Sequence, residues 1–210
     1  MFVIHTNLAL AKSYYQSFRA EVAAAQRDPE HVRITPAICA VTSETRMMAE
    51  DKRALLDGLG EPIDALTLLS EVLNFDFGAK GMDEPFTPDE LASATGLQGI
   101  RDRVIQLSGL INPTVRDFPA FSGRGTLREL PNFVGTAVEV ADELEAWFTE
   151  GACDGLVVAA THMPGSYEDF VRLVFPELQR RGLFRRDYPG TTLRETLGLD
   201  RLATRPLGAE

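Results

Sequence analysis

Four short apolar runs, each followed by residues at helical spacing, set the outer limit on what this chain can become. The runs are Phe2-Val3-Ile4-His5, Val32 to Val41, Phe133-Val134-Gly135 and Leu156 to Ala160. Such alternation marks β-α units on a parallel sheet, whose strands are covered on both faces and so read as nearly continuous hydrophobics. After the first run, Ala11, Tyr15, Phe18, Val22 and Ala25 recur at spacings of four and three, predicting one apolar helix face to about Gln26. Asp28-Pro29 ends that helix, because proline has no N–H to donate and pushes the preceding residue out of the helical region. The second run crosses Pro36, and Thr42-Ser43-Glu44-Thr45 then offers side-chain oxygens to cap a helix reaching about Leu59.

The pattern weakens from Leu66 to Pro131, where Gly, Pro and Asp are frequent and one helix, about Leu97 to Leu107, stands out. A stretch this long is no simple connection, so residues of about 66–131 read as an insertion carrying function or packing. Order returns at Phe133. Thr136-Ala137-Val138-Glu139 has capping-box spacing, and Val140, Ala141, Leu144, Trp147 and Phe148 form one stripe that Gly151 terminates. Asp154-Gly155 turns into Leu156–Ala160, the clearest buried strand. Ser166-Tyr167-Glu168-Asp169 repeats the capping-box spacing, Pro176 divides the following helix, and Gly182 ends its second part. Residues beyond Leu199, about 200–210, read as a loose tail.

Charge removes several functions. The formal net charge is -10 and the pI is about 4.8, which opposes nucleic acid and anionic membrane, since both need clustered Lys and Arg. The basic pairs Arg180-Arg181 and Arg185-Arg186 do not reverse that balance and read as helix-end charges or ion-pair partners. Cys39 and Cys153 lie in apolar contexts and read as free buried thiols. The N-terminal residues lack a basic segment and a long apolar run, and nothing approaches a membrane span, so a cytoplasmic location is expected. His5, His31 and His162 are scattered, with no paired Cys or His spacing, so no metal site is expected.

Two stretches carry more than pattern. FVGT (133–136), VADELEAWF (140–148) and GACDGL (151–156) resemble the closing run of luciferase-like monooxygenases. VFPELQRRGLFR (174–185) and YPGTTLRETLGL (188–199) resemble a narrower branch. That branch holds nitrilotriacetate, EDTA, dibenzothiophene-sulfone and long-chain alkane monooxygenases and the large subunit of pristinamycin synthase. The likeness extends over nearly the whole chain but only the second half of the family pattern. Ala137 stands where the family usually has Pro, and Thr35-Pro36-Ala37 where Leu-Pro-Gly is usual, which bears on the geometry of that strand.

The resemblance implies an α/β fold, the C-terminal half of a TIM-type (β/α) barrel with an inserted loop-helix region, spanning 1–210. It also implies FMN, reduced by a separate flavin reductase, that reacts with O₂ to oxygenate a small organic substrate. The family's phosphate-binding serine and its His and Tyr near the reaction precede this stretch, so the catalytic residues stay unknown. Barrel sites lie at the C-terminal strand ends. That puts Thr161, His162 and Met163 toward flavin or substrate, although a plain loop is the simpler reading. Gly135 and Thr136 could offer backbone N–H groups to a phosphate, although helix capping explains them more simply. His5 reads as packing, His31 as surface, and Asp76, Asp83 and Glu84 as a solvated loop. Half a barrel leaves strand edges and an inner apolar face open, so self-association or an N-terminal-half chain is expected. The rival reading is a non-catalytic remnant or interaction module on a barrel scaffold.

Overall fold

The computed structural model describes residues 1–198, and the expected loose tail lies outside them. The chain runs β1 (Phe2–Val3), α1 (Leu8–Ala24), β2 (Thr35–Thr42), α2 (Arg46–Asp57), α3 (Pro62–Leu73), α4 (Pro88–Ser93), α5 (Gln98–Ser108) and α6 (Asp117–Ser122). It continues β3 (Asn132–Gly135), α7 (Ala137–Thr149), β4 (Val157–Ala159), α8 (Gly165–Asp169), α9 (Phe175–Arg180) and α10 (Leu193–Thr196). It is an α/β protein with a parallel four-stranded sheet.

β2 is the centre of that sheet, and its buried residues Ala37–Thr42 fit the continuous apolar run. Thr35, Cys39 and Ser43 give their N–H groups to Met1, Pro131 and Gly135. At the two-residue period of a strand these three point to one edge, so β1 and β3 lie along the same side of β2. β4 takes the other side, pairing Val157, Val158 and Ala159 with Ala37, Ile38 and Cys39. Consecutive barrel strands would instead neighbour each other in sequence order, with β4 beside β3.

The two outer strands are less buried than their apolar residues suggest. β1 pairs through only two residues and leaves Phe2 and Ile4 about half exposed, while Val157 of β4 is 40% exposed. Each is covered on one side only, so hydrophobicity and burial part company. The helix ends follow local chemistry: Gln26 is left-handed (φ 57) just after α1, and Asp28 then caps the turn at Pro29. On α7, Val140, Ala141, Leu144 and Trp147 are buried, but Phe148 is 52% exposed, one step off the stripe. The second expected capping box does not form. α8 begins at Gly165, and the Ser166 hydroxyl donates to the His162 carbonyl instead of capping a later turn. Pro176 does divide that helix: a π turn over Phe170–Val174 separates α8 from α9, which has the proline in its first turn.

The described residues form two hydrophobic cores with no residue in common. One joins the sheet to α7, the π turn and α9 through Ile38, Phe133, Trp147, Phe170, Val174 and Leu178. The other lies wholly within the insertion, where Leu69, Leu73, Phe77, Phe86, Val104 and Phe118 interlock. The stretch expected as an insertion is therefore a helical lobe, with α3, α4 and α6 in addition to the expected helix, found as α5. Pro62 with Asp64, then Thr87-Pro88-Asp89-Glu90, supply helix starts.

Candidate functional site

The C-terminal ends of β2, β3 and β4 lie together. Thr42 is level with Gly135, and Cys39 with Ala159, so the expected residues Gly135, Thr136, Thr161, His162 and Met163 share one end of the sheet. The strands bearing them flank β2 and are roughly 10 Å apart.

Glycine is favoured at 135, because a Cβ there would come 2.6 Å from Glu139 Oε2 and 3.0 Å from its Cβ, so that the capping carboxylate would have to move. Thr136 caps α7: its N–H donates to Glu139 Oε2 (2.8 Å) and its hydroxyl accepts from the Glu139 N–H (3.4 Å). Arg46 of α2 also donates to Glu139 (3.1 Å), and these hydrogen bonds hold the carboxyl below the usual range. Both donors of Thr136, its N–H and its hydroxyl, are thus engaged by a carboxylate of the same turn. Thr161 and His162 are half-buried and touch each other, Oγ1 to Nδ1 at 3.2 Å, while Met163 is 71% exposed.

Ion pairs surround this end of the sheet. Lys52 of α2 donates to Asp169 (2.6 Å) and to the Thr42 carbonyl (3.0 Å), and Arg172 bridges Glu44 and Asp169. Burial pushes the Asp169 carboxyl up, but Lys52 and Arg172 outweigh it and leave it below its ordinary value. Amid these pairs the Thr42 hydroxyl is buried and makes no hydrogen bond. Residue patterns predicted none of the pairs, because Lys52 and Asp169 are 117 positions apart.

The remaining polar candidates are structural. Asp76 accepts from the Gly78 N–H, Asp83 pairs with Arg116 at 2.8 Å, and Glu84 pairs with Lys80. These acids are exposed, as expected, but each is engaged at the lobe surface, Asp83 across 33 positions and the other two within their own turns. His5 packs on Tyr14 with ring centroids 4.7 Å apart, and burial lowers its pKa. His31 is exposed. Arg180 and Arg181 pair with Glu177, and Arg181 also reaches Asp142 and Glu145 on α7. Among the described residues no group of three His, Cys, Asp or Glu side chains is placed to hold a metal ion. Nor is any helix there long and apolar enough to cross a membrane.

The sequence matches named enzymes over nearly all of its own length. Nitrilotriacetate monooxygenase component A of Aminobacter aminovorans is 34% identical over 203 residues, covering 96% of this chain and 44% of that protein. Dibenzothiophene-sulfone monooxygenase of Rhodococcus erythropolis is 33% identical over 206 residues, covering 95% of this chain and 44% of its own length. The crystal structure of DmoA from Hyphomicrobium sulfonivorans superposes with a TM-score of 0.71 at 30% identity, covering 94% of this chain and 40% of that one. The homologues of this chain are monooxygenases with related luciferase-like structures. Its branch is the one holding the nitrilotriacetate, dibenzothiophene-sulfone and alkane monooxygenases. This luciferase-like chain spans about half the length of the curated relatives it matches. No family model matches it.

Proposed function

We propose that this luciferase-like chain is one portion of a two-component, flavin-dependent monooxygenase that oxygenates a small organic molecule. The observation that carries the reading is the 33–36% identity to three named synthase or monooxygenase proteins across 95–100% of the chain. Two of those relatives are named as one part of a larger system, which supports a second component, and we assign that component as the reductase that delivers reduced FMN. The flavin would supply the oxygen chemistry when bound. The described residues do not by themselves fit its phosphate. Glu139 already holds the Thr136 donors, and the cations of the same end, Arg46, Lys52 and Arg172, are already paired with Glu139, Asp169 and Glu44.

In this proposal Thr161, His162 and Met163 line the flavin or substrate side of a (β/α) barrel to which 1–210 contributes four strands. Closing such a barrel would require β4 to exchange its place beside β2 for one beside β3. Self-association, or pairing with a chain carrying the other strands, would cover the open edges. The experiment is a fluorescence titration of FMN with residues 1–210 alone, then with the preceding half of a relative added. Weak or absent binding alone, with binding and substrate-dependent NADH consumption in the mixture plus reductase, is the expected result. Tight stoichiometric binding by 1–210 alone would overturn the assignment of the phosphate site to another segment. An inert mixture would favour a scaffold that only binds other chains, a reading to which the exposed Phe2, Ile4 and Val157 lend weight.

A further inference from the structure

A cavity of about 670 Å³ opens between β4, α7 and the α8–α9 helix, within the size range of small-molecule sites. Its walls are apolar: Leu156 and Val158 of β4, Leu144 and Phe148 of α7, and Phe170 and Phe175 opposite. This is where Phe148 leaves the buried stripe, and it explains why a large aromatic is half exposed. The cavity lies beside Arg33 and Thr35, at the start of β2. The end that carries Thr42 and Gly135 is seven residues further along the strand, roughly 23 Å away.

Its polar groups are unequal in charge. Arg185 lies over the rings of Phe184 and Tyr188, 5.2 and 4.9 Å from their centroids, and pairs with no carboxylate among the described residues. Arg33 stands 3.8 Å from Asp154 and 4.0 Å from Glu30, at the outer limit of ion pairing. Asp154 is the one carboxylate among the described lining residues, and its oxygens are already taken. Arg19 donates to it at 2.7 Å, Tyr15 at 2.9 Å and the Ile34 N–H at 2.8 Å. Two cations thus border an apolar cavity in a chain of net charge -10. We propose that this cavity binds an amphipathic anion, a carboxylate or sulfonate on an apolar body, with the head at Arg33 and Arg185 and the body against β4 and α7.

The test is calorimetric titration of residues 1–210, below micelle-forming concentrations, with decanoate, decan-1-ol and decyltrimethylammonium. Decanoate should bind one-to-one and at least about tenfold more tightly than either control, equivalent to about 1.4 kcal/mol. The double variant Arg33→Gln, Arg185→Gln should lose that preference. Val171→Trp, at an exposed position lining the cavity, should weaken all binding at least about tenfold by filling it. Amide shifts of Leu156, Val158 and Val171 on adding decanoate locate the ligand in the unaltered chain, so the decision does not depend on a variant folding. Absence of saturable decanoate binding, equal affinity for the three ligands, or shifts confined to other residues would overturn the proposal. So would a preference that survives in the arginine variant, or unchanged binding in folded Val171→Trp.

Discussion

Asp154 joins three parts of the molecule at one carboxylate: α1 through Tyr15 and Arg19, the approach to β2 through the Ile34 N–H, and the turn into β4. Its side chain is only 9% exposed, so Asp154→Ala leaves the Ile34 N–H without its acceptor and Arg19 with Glu30 alone, and should cost about 2 kcal/mol in urea unfolding. Burial and hydrogen bonding to this anion push the Tyr15 hydroxyl up to about 12. A folded-state pKa above the unfolded value of 10.0 gives stability that is complete below pH 10 and lost as pH rises toward 12. Tyr15→Phe should flatten that alkaline decline, and a decline of equal steepness in the variant would remove Tyr15 as its cause. The Thr136 cap and the Trp147 anchor separate local from packing energy. Thr136→Ala should cost about 1 kcal/mol, and Trp147→Ala, 2% exposed and edge-on to Phe133, about 3–5 kcal/mol. Equal small losses would contradict the burial of Trp147. Burial also holds the Cys153 thiol at about 12, so it should resist thiol reagents until the chain unfolds.

Within the elements, the insertion is the part whose order comes from its own packing. Gly96 meets the end of α3 so closely that a Cβ would stand 1.9 Å from the Val72 carbonyl oxygen. Gly96→Ala should therefore destabilise the lobe by about 3 kcal/mol, read by hydrogen exchange at Leu69, Leu73 and Val104. Exchange at Ile38 and Val174, in the other core, should change little if the two cores unfold separately. Acid should loosen the lobe as well. The Thr87 N–H, followed by Lys80, holds the Glu90 carboxyl down to about 2. A depressed folded-state pKa gives stability that is present above about 4.5 and lost as pH falls through about 2. Glu90→Gln should lessen the acid sensitivity of the lobe amides, and an unchanged profile would count against this capping box.

At the scale of the whole molecule, the sheet ends in strands covered on one side only. Light scattering after size exclusion is expected to report association of residues 1–210, because Phe2, Ile4 and Val157 expose apolar surface beside unpaired strand edges. A monodisperse monomer that unfolds cooperatively would count against the open-barrel proposal. Replacing Val157 with Lys should reduce association through that edge, since a charge there opposes strand pairing.

Sequence periodicity alone determined the α/β class, the run of β2, the α7 stripe, the Thr136–Glu139 cap and the turn at Gly151, all of which depend on residues within a few positions of one another. The starts of α3 and α4 were equally local, in Pro62 with Asp64 and in Thr87–Glu90, although the surrounding glycines and prolines gave the segment the look of loop. Tertiary structure alone decided the place of β4 beside β2, the exposure of Phe2 and Phe148, and the union of Lys52 with Asp169 and of Asp154 with Tyr15 and Arg19. Those depend on contacts between residues up to 139 positions apart. An apolar residue records a preference for burial, but which of its faces is covered depends on the element that arrives there, and nothing in the local pattern encodes that arrival.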